Sequence, residues 1–297
     1  MSRRVALALG AGGARGYAHI GVLDELESRG YEVVAVAGTS MGALVGGVTA
    51  VGRLEDFSTW ARSLTQRDVV RLIDPTWASA GVMAANRLLA EVDRLVEGAL
   101  IEDLAIPFTA VATDLNAQRE VWFQRGSLAS AIRASIAIPG FITPVRMNGR
   151  LLADGGLVNP VPIEPTAAAD ADLTLAISLH GSRRRRDTAA PLRAAATTWR
   201  DELASRLRRT VGRAAPEPDD PEQLEERLRV ADVMSLSLDA MEGIIERYRM
   251  AAQPPDVLVT VPVGAARTLD FHRADEIIAL GRTLGAQALD EWESREA

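Results

Sequence analysis

The stretch that decides the fold is residues 33–51, VVAVAGTSMGALVGGVTAV. Its first part is rich in β-branched residues and stops at Gly38, and its last part consists of small, uncharged residues compatible with a helix. We therefore predict a strand, a sharp turn and a helix. The turn carries the pattern Gly-x-Ser-x-Gly, which exposes the Ser40 hydroxyl at the carboxyl edge of a sheet and leaves room only for glycine at positions 38 and 42. Ser40 is a candidate nucleophile, and Gly38 and Gly42 are the glycines of its turn.

Two other interpretations of this stretch have to be weighed. A glycine-rich turn can simply pack a helix against a sheet. Alternatively, residues 33–52 are uncharged and carry Gly38, Gly42 and Gly46 at the G-x-x-x-G spacing of a membrane-spanning helix. The five glycines in this window and its β-branched start favour the strand, turn and helix.

The composition is that of an ordinary globular protein, and it excludes several chemistries. The chain of 297 residues is long enough for one large domain, and its net charge of −7 gives no support for nucleic-acid binding. It contains no cysteine, and all 33 basic residues are arginines. Thiolate nucleophiles, cysteine-ligated zinc, a Walker-type loop, a Schiff base and a Ser-Lys dyad are therefore excluded. No metal and no cofactor are implied.

A second glycine-rich loop follows the first predicted strand, residues 5–9. This apolar run is too short for a signal peptide, so we expect a buried parallel strand in a cytoplasmic protein. The sequence then reads GAGGARG at positions 10–16, before a predicted helix at 17–29. Arg15 stands where a dinucleotide-binding loop needs glycine. Backbone N–H groups in such a loop suit either a phosphate or an oxyanion, and the oxyanion interpretation pairs the loop with Ser40.

A third informative stretch leads to Asp154. Two short strands are predicted on either side of Asn148-Gly149, a strong hairpin signal, and the second strand runs into Asp154-Gly155-Gly156. Asp-Gly is also a common turn dipeptide, so a purely structural role stays open. In the functional interpretation, the Asp154 carboxylate accepts the proton of Ser40.

The remaining pattern predicts a three-layer α/β/α fold with a largely parallel central sheet. Five apolar strands are predicted near residues 5, 33, 108, 173 and 257, with helices at 53–66, 84–98, 127–137, 222–250 and 273–291 and a loop at 74–81. We expect three units: a catalytic core at 1–180, a partly mobile insertion or linker at 181–230, and a helix–strand–helix unit at 231–297 that completes the core.

The insertion is first basic and then acidic. Residues 183–213 carry ten arginines, and a proline-rich acidic piece follows at 217–222. One interpretation is a cationic helix that contacts an anionic membrane surface transiently. The other is a solvated charge run that pairs with the acidic piece.

Three stretches together resemble the patatin-like phospholipase family. The family's G-G-G-x-R-G motif aligns with residues 11–16, its nucleophile elbow with 38–42, and its D-G-G/A motif with 154–156. Ala134-Ser135 and the tail Leu269-Asp270-Phe271 fit as well. The resemblance covers residues 5–179 well and 256–281 moderately. Ala11 departs from the pattern, because the family usually has glycine there; alanine is tolerated if its φ angle is negative.

The resemblance implies a lipid acyl hydrolase with a Ser–Asp dyad. Ser40 would attack an ester carbonyl, Asp154 would take its proton, and the Gly12 and Gly13 amides would hold the oxyanion. Arg15 would either bind a lipid phosphate or brace the loop. The implied substrates are phospholipids or lysophospholipids. From the short N-terminal apolar run and the basic segment at 183–213 we expect the protein in the cytoplasm, at the inner face of the membrane.

Two alternatives to the Ser–Asp dyad remain open from the sequence. The first is a triad carboxylesterase that adds one of the three histidines, His19, His180 or His272. The second is a non-catalytic lipid-binding scaffold, which Ala11 and the long basic segment suggest.

Overall fold

A sheet of eight strands forms the centre of the molecule, and five of the strands run parallel. The computed structural model describes residues 2–72, 86–182 and 230–296. The parallel strands are β1 (Arg4–Leu9), β2 (Glu32–Thr39), β3 (Phe108–Asp114), β7 (Leu173–Gly181) and β8 (Val257–Pro262). Their spatial order is β3-β2-β1-β7-β8. The prediction of a largely parallel sheet is confirmed, and β1 lies at the point where the strand order reverses, the usual position of a binding site in such folds.

Three shorter strands extend the sheet beside β3. They are β4 (Arg119–Phe123), β5 (Val145–Met147) and β6 (Arg150–Asp154), all antiparallel to their neighbours. β5 and β6 form the predicted hairpin. Its turn residues Asn148 and Gly149 have φ angles of 50° and 75°, as a two-residue turn with two positive φ angles requires. The hairpin places Asp154 opposite Ala112 of β3.

Helices flank the sheet, as predicted. The described helices are α1 (Ala18–Ser28), α2 (Met41–Ala50), α3 (Leu54–Ser63), α4 (Gln66–Leu72), α5 (Asn86–Val96), α6 (Leu128–Ser135), α7 (Val230–Ala252) and α8 (Ala274–Glu296). Among them, none has both the length and the hydropathy needed to cross a membrane. The stretch that opened the sequence analysis forms β2 and α2, so the strand, turn and helix are confirmed.

Several helix predictions differ from the structure at their ends; the helix predicted at 273–291, for example, continues to Glu296. The helix predicted from residue 17 begins earlier, with a 3₁₀ turn at Gly13–Tyr17 that continues into α1. The helix predicted at 53–66 ends at Ser63, because Leu64 is extended. A new helix follows, since the Thr65 N–H donates to the Asp68 carboxylate and the Asp68 N–H donates to Thr65 Oγ1, as in a capping box.

The C-terminal elements pack directly on the N-terminal ones. β8 pairs with β7, and α8 crosses α1 so closely that a Cβ at Gly21 would lie 2.0 Å from the carbonyl oxygen of Ile278. A Cβ at Gly281 would lie 2.1 Å from the carbonyl oxygen of Ala18. The predicted loop at 74–81 and nearly all of the insertion at 181–230 lie outside the described residues.

Candidate active site

Ser40 lies on a strained turn between β2 and α2. Its φ and ψ angles are 56° and −121°, which a non-glycine residue rarely adopts. A Cβ atom added to Gly38 would lie 2.3 Å from the Gly42 carbonyl oxygen. A Cβ atom added to Gly42 would lie 2.0 Å from the Leu9 carbonyl oxygen. Both positions therefore need glycine because a side chain would not fit there, and not because their φ angles are positive.

Ser135, at the end of α6, supports this turn. The Ser40 N–H donates to Ser135 Oγ over 2.8 Å, and the Ser135 hydroxyl donates to the Val111 carbonyl over 2.6 Å. Ser135 is fully buried. Sequence analysis noted Ser135 only as part of the family pattern, and its role as an acceptor for the turn becomes visible only in the fold.

The Ser40 hydroxyl donates a hydrogen bond to Asp154. The distance from Ser40 Oγ to Asp154 Oδ2 is 2.5 Å, and both residues are 3% exposed. The Gly156 N–H donates to the other oxygen, Asp154 Oδ1, over 2.8 Å. The contact is possible because β6 lies beside the end of β3, next to the point where β2 finishes at Thr39.

Asp154 is a stronger base than an ordinary carboxylate. Burial, followed by the negative charge of Glu242, raises its pKa to about 7, although the hydrogen bonds from Ser40 and Gly156 act in the opposite direction. A general base works best when its pKa lies near the working pH. A dyad mechanism requires such a desolvated aspartate, but the sequence alone does not show that Glu242 contributes to its environment.

The glycine-rich loop presents two free N–H groups next to Ser40. The neighbouring Ala11 N–H donates to the Pro160 carbonyl, and the Ala14 N–H donates to the Thr268 carbonyl. Among the described residues, the Gly12 and Gly13 N–H groups have no such acceptor. Gly13 has a φ angle of 57°, whereas Ala11 does not have a positive φ angle. The alanine at this position therefore does not strain the loop.

Arg15 points into the protein and not toward solvent. The residue is 1% exposed, and its Nη2 donates to Asp239 of α7 over 2.6 Å. Its Nη1 donates to the Val263 carbonyl over 3.4 Å. Of the two roles considered for Arg15, these contacts favour bracing of the loop over binding of a lipid phosphate.

Two of the three histidines, His19 and His272, make no hydrogen bond to the dyad among the described residues. His19 is fully buried, and its Nε2 lies 2.9 Å from the Gly10 carbonyl oxygen, to which it donates. Burial lowers the pKa of His19 to about 4, so the ring is neutral. His272 lies on the 3₁₀ turn Phe271–Arg273. None of the hydrogen bonds among the described residues joins a histidine to Ser40 or Asp154.

His180 instead bridges two glutamates of α7. Its Nδ1 lies 2.8 Å from Glu246 Oε2, and its Nε2 lies 3.0 Å from Glu242 Oε2. Burial lowers the pKa of His180, but the hydrogen bonds and charges of the two glutamates outweigh burial and raise the pKa to about 9. The ring is therefore a cation at neutral pH. Sequence analysis considered His180 only as a possible triad member and missed both glutamates.

In the part of the chain that the structure describes, one group of side chains has the spacing of metal ligands. Ligand atoms of His180, Asp239 and Glu242 lie within 4.8 Å of one another. Asp239 is paired with Arg15, however, and Glu242 is paired with His180. The group is therefore a set of ion pairs.

Two pockets meet at Ser40. The first is almost entirely apolar, and the side chains that line it include Tyr17, Leu44, Phe57, Trp60, Phe141 and Phe271. The second is smaller and more polar, with Asp154, Arg15, Asp239 and Glu242 among its lining residues. Ser40, Gly13, Ile138 and Phe141 belong to both pockets. An ester at Ser40 would have an apolar compartment on one side and a polar compartment on the other.

A serine on a strained elbow, a carboxylate within hydrogen-bond reach and two free amides form an arrangement typical of serine hydrolases. The comparisons with known proteins agree with this class. The family model "Patatin-like phospholipase" matches residues 7–167. An uncharacterized NTE family protein of Mycobacterium tuberculosis is 45% identical, over 98% of this chain and 93% of its own length.

More distant relatives have longer chains. Human patatin-like phospholipase domain-containing protein 6 is 29% identical over 97% of this chain, which spans 20% of that protein. Among solved structures, VipD from Legionella pneumophila matches with a TM-score of 0.49 and 14% identity, covering 98% of this chain and 67% of VipD. The chain belongs to the patatin-like phospholipase family, and it is a hydrolase that acts on ester bonds of lipid acyl groups.

Proposed function

We propose that the protein hydrolyses carboxylic esters of phospholipids or lysophospholipids through an acyl-enzyme on Ser40, with Asp154 as the only general base. The observation that carries this proposal is the 2.5 Å hydrogen bond from Ser40 Oγ to Asp154 Oδ2 beside an apolar pocket. The raised pKa of Asp154 supports it, because a carboxylate with an ordinary pKa would be a weak base for a serine hydroxyl.

In the first half of the reaction, Asp154 takes the proton of Ser40 as Oγ attacks the ester carbonyl. The N–H groups of Gly12 and Gly13 hold the negative oxygen of the tetrahedral intermediate. Asp154 returns the proton to the leaving alcohol, and the acyl group stays on Ser40. In the second half, Asp154 takes a proton from water as the water attacks the acyl-enzyme. It returns that proton to Ser40 Oγ as the fatty acid leaves. Loss of one oxyanion donor typically reduces the rate by about 10²–10³.

The two pockets support a lipid as the substrate. The acyl chain would occupy the apolar pocket, since burial of each CH₂ group contributes about 0.8 kcal/mol. The alcohol side of the ester would face the polar pocket. For a series of esters we expect KM to fall as the acyl chain lengthens, until the chain fills the pocket.

The triad esterase is less well supported. His180 is held by two glutamates, and His19 by Gly10, so neither is available to Ser40. His272 has the late chain position that a triad would use, and it is therefore included in the test.

The test compares hydrolysis of a chromogenic medium-chain ester by wild type, Ser40→Ala, Asp154→Asn and His272→Ala. We expect the first two variants to lose turnover and the third to keep it. Labelling of Ser40 with a fluorophosphonate, followed by mass spectrometry, measures the nucleophile without any assumption about the substrate. Loss of turnover in His272→Ala together with full activity of Asp154→Asn would establish a triad. Absence of both labelling and turnover in wild type would support the scaffold.

We also propose that the protein works in the cytoplasm at the inner face of the membrane. The support is the lipid substrate and the arginine-rich sequence at 183–213, which suits anionic headgroups. Sedimentation with vesicles of phosphatidylglycerol and phosphatidylcholine, compared with phosphatidylcholine alone, tests this. Equal binding to both would contradict an electrostatic attachment.

A further inference from the structure

Glu242 of α7 lies directly beside the dyad. It lines the same polar pocket as Ser40 and Asp154. Its Oε1 lies only 2.7 Å from the position that a Cβ on Gly156 would occupy, and the N–H of Gly156 is bonded to Asp154 Oδ1. A second carboxylate therefore lies against the backbone that holds the dyad aspartate, although no part of the reaction described above uses it.

His180 fixes this position of Glu242. Its Nε2 contacts Glu242 Oε2 and its Nδ1 contacts Glu246 Oε2, one turn further along α7. The His180 side chain is 2% exposed, and the side chains of Glu242 and Glu246 are 14% and 7% exposed. Because one oxygen of Glu242 is held by the imidazole, the other is directed toward Gly156.

We propose that Glu242 is a positioning residue of the dyad: held by His180 against the Gly156 backbone, it places a second carboxylate beside Asp154 in the same pocket. The proposal rests on the proposed role of Asp154. Like charges in one partly buried site disfavour each other's ionised form. Other charged groups also face Glu242: His180 from β7, Arg15 from the glycine-rich loop, and Asp239 and Glu246 from α7.

The neighbouring ion pairs only partly balance the carboxylates around Asp154. Arg15 is balanced by Asp239, and His180 is shared by Glu242 and Glu246. The two cations and three carboxylates therefore leave one excess negative charge, next to Asp154. The raised pKa of Asp154, to which Glu242 contributes after burial, agrees with this arrangement.

The test is the pH dependence of fluorophosphonate labelling of Ser40 and of ester hydrolysis in Glu242→Gln. Glutamine keeps the size of the side chain and an acceptor for His180, and it removes only the charge. We expect the acid limb of both profiles to move to lower pH, by on the order of one pH unit, and the plateau rate to fall. Glu242→Ala should move the limb in the same direction, and Glu242→Asp, which retains the charge, should restore it toward wild type.

Glu246→Gln is the matched control. It removes one carboxylate from the same helix and the same histidine, but its side chain is not among those that line the pocket with Asp154. Its acid limb should move less than that of Glu242→Gln. An unmoved acid limb in both Glu242→Gln and Glu242→Ala, with normal thermal unfolding, would overturn the inference. Failure of the proposed function would look different, because Asp154→Asn would then be labelled as fast as wild type.

Discussion

Replacement of Asp154 by asparagine should stabilise the protein at alkaline pH while it abolishes turnover. Asparagine has nearly the same shape but carries no charge. Its single carbonyl oxygen can accept from the Gly156 N–H, and its amide NH₂ can donate to Ser40 Oγ in place of the bond that the Ser40 hydroxyl donates to Asp154. The folded pKa of Asp154 is about 7, against 3.8 for the unfolded chain. Because the pKa of Asp154 is higher in the folded protein than in the unfolded chain, Asp154 contributes to the free energy of unfolding. This contribution is fully present below pH 3.8 and is lost as the pH rises through 7.

The size of the effect follows from the two pKa values. Each unit of difference corresponds to about 1.4 kcal/mol, so the full loss between acid and alkaline pH is roughly 4 kcal/mol. Between pH 5 and pH 8 the loss amounts to roughly 2–3 kcal/mol, because part of it has already occurred at pH 5. Asparagine avoids this loss entirely. The free energy of unfolding of Asp154→Asn, relative to wild type, should therefore increase by that amount from pH 5 to pH 8.

Urea unfolding of both proteins at pH 5 and pH 8 measures this difference. Ser40→Ala is the control, since it also lacks activity but keeps the buried carboxylate and removes its hydrogen-bond donor. It should show no gain in stability at pH 8. If the stability difference between Asp154→Asn and wild type is the same at both pH values, Asp154 is not a carboxylate with a raised pKa, and the reasoning about its basicity fails.

Three further predictions concern residues around the dyad. Ser135→Ala removes the acceptor of the Ser40 N–H, so it should lower the free energy of unfolding by about 1–3 kcal/mol and reduce the rate of fluorophosphonate labelling; unchanged values for both would contradict the supporting role. His180→Gln should be less stable than wild type by up to about 3 kcal/mol near pH 6. This difference should shrink toward pH 9, because the pKa of His180 in the folded protein, about 9, exceeds the reference value of 6.5. A difference in urea unfolding that does not depend on pH would rule out a buried imidazolium. Gly42→Ala would put a Cβ 2.0 Å from the Leu9 carbonyl oxygen, so we expect little folded protein by circular dichroism, and a stable, active variant would contradict the packing of the elbow.

The parts of the site that could be predicted are those defined by local sequence. The elbow at 38–42 needs glycines within two residues of Ser40, and the hairpin before Asp154 needs Asn148-Gly149 at its turn. Both requirements act over a few residues, so the pattern shows them directly. The five parallel strands were predictable for a similar reason, since strands covered on both faces are continuous apolar runs.

The order of the strands in space was not predictable from the chain, and it decides which candidate reaches Ser40. His180 ends β7, which lies on the far side of β1 from β2. Two strand spacings, about 10 Å, therefore separate it from the elbow. Asp154 ends β6, which runs along β3 beyond the point where β2 stops. Both residues are polar groups at strand ends, and only the topology distinguishes them.

The contribution of α7 was the least predictable part of the site. The sequence predicts a helix at 222–250 with many acidic residues, but the residues that face the protein depend on how the helix packs. In the structure, Asp239 pairs with Arg15, and Glu242 and Glu246 pair with His180. Their effect on catalysis is electrostatic, and it depends on burial that exists only in the folded protein. We infer that motifs determine which residues react, whereas Glu242, 88 positions after Asp154 and outside every catalytic motif, adjusts how strong a base that aspartate is.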